Sequence, residues 1–219
     1  MHFTSFDIVL FVILLISLSV FYERPTPLYL KLFPAYFISA LIVVLRSEWL
    51  ARHGRYNTGL GNVWGIIEFC FYFFVLYEII ENSKFRKIIF YIAVAFVLFA
   101  SFNLIFQHKI AFNPINFTVG CLITVLSCIY YYIELFRKVE ARSLSRSSEF
   151  WICTGIFFNT VLSFPTFALE SFLEESSKVS KATYLLYRNM DSILIITIIL
   201  TFLLYAIGFL CRIRIRKTV

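Results

Sequence analysis

Histidine is almost missing from this chain. Its three copies, His2, His53 and His108, lie at or beyond the ends of hydrophobic runs, and no H-x-x-x-H occurs. That excludes the three-ligand zinc site of an intramembrane metallohydrolase. Cysteine is little better supplied: Cys70, Cys121, Cys128, Cys153 and Cys211 all fall inside apolar runs with no C-x-x-C, so they read as small packing residues. No lysine lies between Lys181 and Lys217, which removes the Schiff-base lysine a retinal protein needs in its last helix. A glycine-rich phosphate loop and a nucleophilic serine setting are also absent. The sequence therefore predicts no cofactor and no metal.

Charge is scarce as well, at 15% of residues against 60% hydrophobic. The charges fall mostly between seven apolar runs, near 5–22, 27–45, 63–80, 87–106, 117–136, 150–170 and 190–211. A membrane-spanning helix needs roughly 20 mainly apolar residues, because each contributes about 1.5 Å across about 30 Å of hydrocarbon. The expected fold is thus all-α, a single seven-helix transmembrane bundle occupying residues 1–219. The first run reads as a span and not as a cleaved signal, since Met1 to Asp7 carries no basic residue and no small-residue cleavage site follows. The connectors leave no room for a soluble catalytic domain.

The net charge of +7 follows the membrane and not a nucleic acid. Thirteen Lys and Arg fall on the side of the first, third and fifth connectors and the C-terminus, against seven on the other side. The positive-inside rule then puts the N-terminus outside and the C-terminus in the cytoplasm. Arg212, Arg214, Arg216 and Lys217 form a basic tail suited to anionic headgroups, at about 1 kcal/mol per residue. Aromatic residues at span ends, including Trp49, Trp64 and Tyr130 to Tyr132, read as interfacial belts. In the connector 46–62, the second helix should run on to a stop at Gly54, Gly59 and Gly61 should make a turn, and Asn62 should cap the third helix. The connector 171–189 reads as a solvated loop.

Polar side chains inside the runs carry the functional information, because lipid tolerates them poorly. Glu68 is the sharpest, on one face of the third span with Tyr72. Asn159, Ser163, Thr166 and Glu170 recur at i, i+4, i+7 and i+11 along the sixth, which puts them on one face. Asn103 and Gln107 in the fourth span, Asn113 and Asn116 around the start of the fifth, and Asn189 and Asp191 at the start of the seventh share the outward half. Thr197, Thr201, Tyr205 and Gly208 make a milder stripe that reads as close packing. Glu78, Glu81 and Glu134 read as interfacial charges paired with Lys84, Arg86, Lys87, Arg137 and Lys138.

The segments Asn62-Val-Trp-Gly-Ile-Ile-Glu68-Phe-Cys-Phe-Tyr72, Phe112-Asn-Pro-Ile-Asn-Phe117, Ser127-Cys-Ile-Tyr-Tyr-Tyr-Ile-Glu134 and Phe150-Trp-Ile-Cys-Thr-Gly-Ile-Phe-Phe158, with Ser163-Phe-Pro165, carry a resemblance. In these the chain resembles a widespread group of seven-span membrane proteins of Bacteroidota. The resemblance implies an all-helical bundle in a bacterial inner membrane, and implies no activity. On the residues themselves, the expected function is a membrane module binding a small molecule, lipid or partner protein through an outward polar pocket. Its candidate lining is Glu68, Tyr72, Asn103, Asn159, Ser163, Glu170 and Asp191. No acid–base–nucleophile set is legible, so the non-enzymatic reading leads. An intramembrane enzyme pairing Glu68 with Asp191 or Glu170, and a transporter or pore subunit acting as a homo-oligomer, are the alternatives.

Overall fold

The computed structural model describes residues 5–22, 26–106, 112–137, 144–177 and 181–216, with the side chains of 5, 6, 145, 170–192 and 212–216 outside the description. Seven α-helices account for nearly all of it: α1 (Ser5–Ser17), α2 (Leu28–Arg52), α3 (Thr58–Ile79), α4 (Ser83–Phe106), α5 (Pro114–Arg137), α6 (Ser148–Ser177) and α7 (Lys181–Arg216). No strand occurs among the described residues. Six of the helices, all but α1, are long and apolar enough to cross a membrane. The chain is a multi-pass helical membrane protein. Helix α1 is the short one, but a 3-10 segment, Leu18–Tyr22, continues it. Together they reach about 30 Å, at about 1.5 and 2.0 Å per residue for the two helix types.

The helix ends follow from identifiable residues. Helix α2 closes in a Schellman motif: Gly54 takes φ +65°, its N–H meets Ala51 O at 3.0 Å, and Arg55 N–H meets Leu50 O at 2.9 Å. The expected stop at Gly54 is where the helix ends. Asn113 caps α5, accepting the Asn116 N–H at 3.2 Å with Pro114 at the first helical position. Asn82 Oδ1 caps α4 by accepting the N–H groups of Lys84 and Phe85 at 3.0 and 3.4 Å. Ser147 caps α6 through the Phe150 N–H at 3.3 Å.

Two connector expectations are corrected. Helix α3 starts at Thr58, so Gly59 and Gly61 lie in its first turn and Asn62 is buried inside the helix and does not cap it. The cost of glycine in a helix, about 0.5–1 kcal/mol each, is small beside the packing of a whole span. The stretch 171–189 is not a loop over most of its length: α6 runs to Ser177 and α7 starts at Lys181. Apolarity marks where a helix meets lipid, whereas Glu, Lys, Leu and Ala keep high helix propensity beyond it. Pro34 and Pro165 both lie within continuous helices, the first buried and the second exposed.

Helix α3 is central, packing on α2, α4, α5 and α6, while the longest pairing joins α6 to α7. Two glycines permit the closest approaches to α3. A Cβ at Gly120 would lie 2.6 Å from the Phe69 ring, and one at Gly65 would lie 2.3 Å from the ring of Phe117. The largest buried side chains, among them Phe33, Phe37, Phe73, Leu76, Ile80, Ile152 and Phe209, fill the half of the bundle toward the α3–α4 turn. In α2 every buried residue falls between Tyr29 and Phe37, and none between Ile38 and Arg52. The bundle is therefore tight at the α3–α4 end and looser around α2 toward the α2–α3 end.

Candidate functional site

Glu68 is the eleventh of the 22 residues of α3, so it lies at mid-depth in the bundle. The extension of α3 back to Thr58 puts it deeper than a span starting at residue 63 implies. Its Oε1 accepts two phenol hydrogens, from Tyr72 one turn along α3 at 2.5 Å and from Tyr36 of α2 at 3.0 Å. The Tyr72 oxygen in turn accepts from the Asn159 amide of α6 at 3.1 Å. Helices α2 and α3 thus meet at one carboxylate oxygen, and α6 joins them through Tyr72. The Tyr36 ring lies flat between Phe71, 4.4 Å away at 6°, and Trp64, 5.6 Å away at 26°. Stacking holds the phenol while its hydroxyl points at the acid.

Helix α7 contributes Tyr205. Its ring packs edge-on against Phe33 at 5.2 Å, and its Cε1 edge fills the space left by Gly155, where a Cβ would come within 2.7 Å. The Tyr205 side chain is 1% exposed. Its hydroxyl is sealed from solvent and makes no hydrogen bond of good geometry among the described residues. Glu68 as a residue is half-buried, and Oε2 takes neither phenol hydrogen. The site therefore holds one oxygen that accepts two phenol hydrogens and a second that accepts neither.

The structure divides the expected pocket residues. Glu68, Tyr72 and Asn159 are hydrogen-bonded together. Ser163 is buried one turn from Asn159 on the same face of α6, with Thr166 buried beyond it. Asn103 belongs elsewhere: its amide donates to Asn116 Oδ1 at 3.0 Å and to Asn113 Oδ1 at 3.5 Å. Asn62 Oδ1 accepts the Asn113 N–H at 3.0 Å, and Asn116 donates to Ala100 O at 3.2 Å. This asparagine knot ties α3, α4 and α5 near the start of α5 and is a second polar level, separate from Glu68. Glu170 and Asp191 lie in α6 and α7 with side chains outside the described set; Gln107 and Lys217 are outside the described residues, and the side chains of Asn189, Arg212, Arg214 and Arg216 outside the description.

Sequence reasoning missed Tyr36. Trp64, expected in an interfacial belt, is half-buried and stacks on Tyr36. Tyr205, expected as packing, does pack, edge-on to Phe33 and against Gly155. The available signal was that phenol oxygens in mid-span need polar partners as much as amides do. The stripe of Thr197, Thr201 and Gly208 does pack closely on α6: all three are buried, and Thr201 donates to Thr197 O at 2.9 Å.

At the α3–α4 end, Glu134 of α5 accepts the Asn82 N–H at 3.0 Å and the Glu81 N–H at 3.3 Å, while Asn82 donates to Tyr130 at 2.8 Å. Glu134 is therefore a clamp on the turn's backbone, and among the described residues it pairs with no lysine or arginine. Glu78 does face Arg86, at 3.8 Å. Comparison with family models, curated proteins and solved structures finds no match to this chain.

Proposed function

We propose that this protein is a membrane-embedded binding module whose small-molecule ligand reaches Glu68 from the α2–α3 end of the bundle. The observation that carries the reading is the divided carboxylate, with Oε1 held by Tyr36 and Tyr72 and Oε2 open. An acidic side chain at mid-bilayer costs about 2.5–3.5 kcal/mol on insertion scales. Interhelical hydrogen bonds average about 0.6 kcal/mol, so two or three return only about 1–2 kcal/mol. Packing alone is thus a poor reason to keep an acid here. The half of α2 beyond Phe37, which has no buried residue, is the side from which this reading brings the ligand in.

The basic residue bias supports an N-terminus outside and a C-terminus in the cytoplasm, which makes the α2–α3 end face outward, and the resemblance implies a bacterial inner membrane. The basic tail from Arg212 to Lys217 would then rest on anionic lipid, and a signal would pass to an oligomer or membrane partner. An enzymatic reading needs a second acid at Glu68, whose described electrostatic neighbours are instead Tyr72 and Tyr36.

The test is retention. Wild type and Glu68→Gln are extracted directly into lipid nanodiscs, and bound small molecules are quantified by mass spectrometry. At least one compound is expected near stoichiometric amount with wild type and depleted tenfold or so in the variant, since a charged hydrogen bond contributes about 1.5–3 kcal/mol. Identical profiles from two folded proteins would sink the proposal.

A further inference from the structure

We infer that the ligand at Glu68 is a protonated organic amine. This rests on the binding-module reading and adds the chemistry of the occupant. The hydrogen-bond inventory of the site is weighted towards acceptors. Tyr36 and Tyr72 have spent their hydrogens on Oε1, and Asn159 directs one amide hydrogen at Tyr72. What remains without a described partner is Glu68 Oε2, the Asn159 carbonyl oxygen and one Asn159 amide hydrogen, so most of the unmet positions are lone pairs. An occupant that satisfies this set must bring donors.

Charge points the same way. The described ion pairs, Arg52 with Glu48 and Arg86 with Glu78, leave Glu68 out, and its described polar contacts are neutral phenols. A carboxylate in a low-dielectric bundle is best complemented by a cation that also donates hydrogen bonds. The surroundings favour an organic cation over a bare ion. Trp64 lies one turn from Glu68 and Phe71 almost one turn the other way, both half-buried, with the Tyr36 ring between them. Such a wall takes the apolar body and the partly desolvated methylenes of an amine. Among the described residues, no three His, Cys, Asp or Glu side chains gather to hold a metal.

The experiment uses the full chain in nanodiscs of zwitterionic lipid at pH 6. A hydrophobic carbodiimide modifies accessible carboxyl groups, and modification of Glu68 is followed by peptide mass spectrometry. The probes are phenethylamine, phenethyl alcohol, 3-phenylpropionate and sodium chloride. Phenethylamine is expected to protect Glu68 saturably while the others do not. Glu68→Gln, if it folds, should lose the thermal shift that phenethylamine gives wild type.

Equal protection by the alcohol, protection by sodium alone, or modification with no protection would each overturn the amine assignment and leave the pocket standing. A Glu68 that resists modification altogether would overturn both, because the carboxylate would then be sealed.

Discussion

Gly155 sets the position of Tyr205, and through it the shape of the site. A methyl group there would press on the Tyr205 ring at 2.7 Å and on Thr201 O at 3.4 Å, and neither can retreat easily. Gly155→Ala is expected to destabilise the protein by about 1–3 kcal/mol, the usual cost of overpacking. Gly59 is the control, with nothing near its missing Cβ and a place in the first turn of α3. Gly59→Ala should be neutral or gain up to about 1 kcal/mol from helix propensity. Thermal midpoints in one detergent decide it. A Gly155→Ala protein as stable as Gly59→Ala would mean that Tyr205 is not held as described.

Helices α3, α4 and α5 are joined by one residue's two roles. Asn113 caps α5 and receives the Asn103 amide through the same oxygen, while its own amide nitrogen has no described partner. Asn113→Ala should therefore cost about 1–2 kcal/mol, the value of a good cap. Asn113→Ser, which restores an acceptor at the cap, should recover most of that loss. If serine is as damaging as alanine, the knot works through something other than the Oδ1 acceptor. At the opposite end, Glu134→Ala frees the N–H groups of Glu81 and Asn82, and faster amide exchange confined to the α3–α4 turn is the expected signature.

For the whole molecule the decisive property is which side of the membrane the α2–α3 end faces. Arg55 is exposed beside the Gly54 stop, so Arg55→Cys offers a reporter at that end. The native cysteines lie within the spans. In intact cells a membrane-impermeant maleimide is expected to label Arg55→Cys, and a C-terminal fluorescent fusion should light up in the cytoplasm. Labelling only after lysis would reverse the orientation, and the Glu68 route would then open to the cytoplasm. Helix α4 shows the other global feature: it buries only Ile89, Phe96 and Ala100, and from Ile88 to Phe106 its exposed side chains are apolar or aromatic, as lipid contact requires.

The number of helices, their order and the polar residues worth watching were legible from composition, because hydrocarbon imposes length and apolarity on every span. Glu68 stood out alone for that reason, and Tyr72 with it, since a four-residue spacing puts both on one face whatever the fold. Local spacing also placed the Gly54 stop. Depth and partnership were decided only in three dimensions. Glu68 lies at mid-bundle because α3 starts earlier than its apolar run, and packing on four neighbours outweighs two glycines. Asn103 and Asn159 have the same chemistry, yet one closes the asparagine knot and the other reaches Tyr72. Tyr36 became a site residue because α2 turns it toward α3. Helical periodicity tells which residues share a face of one helix, and only helix packing tells which faces meet.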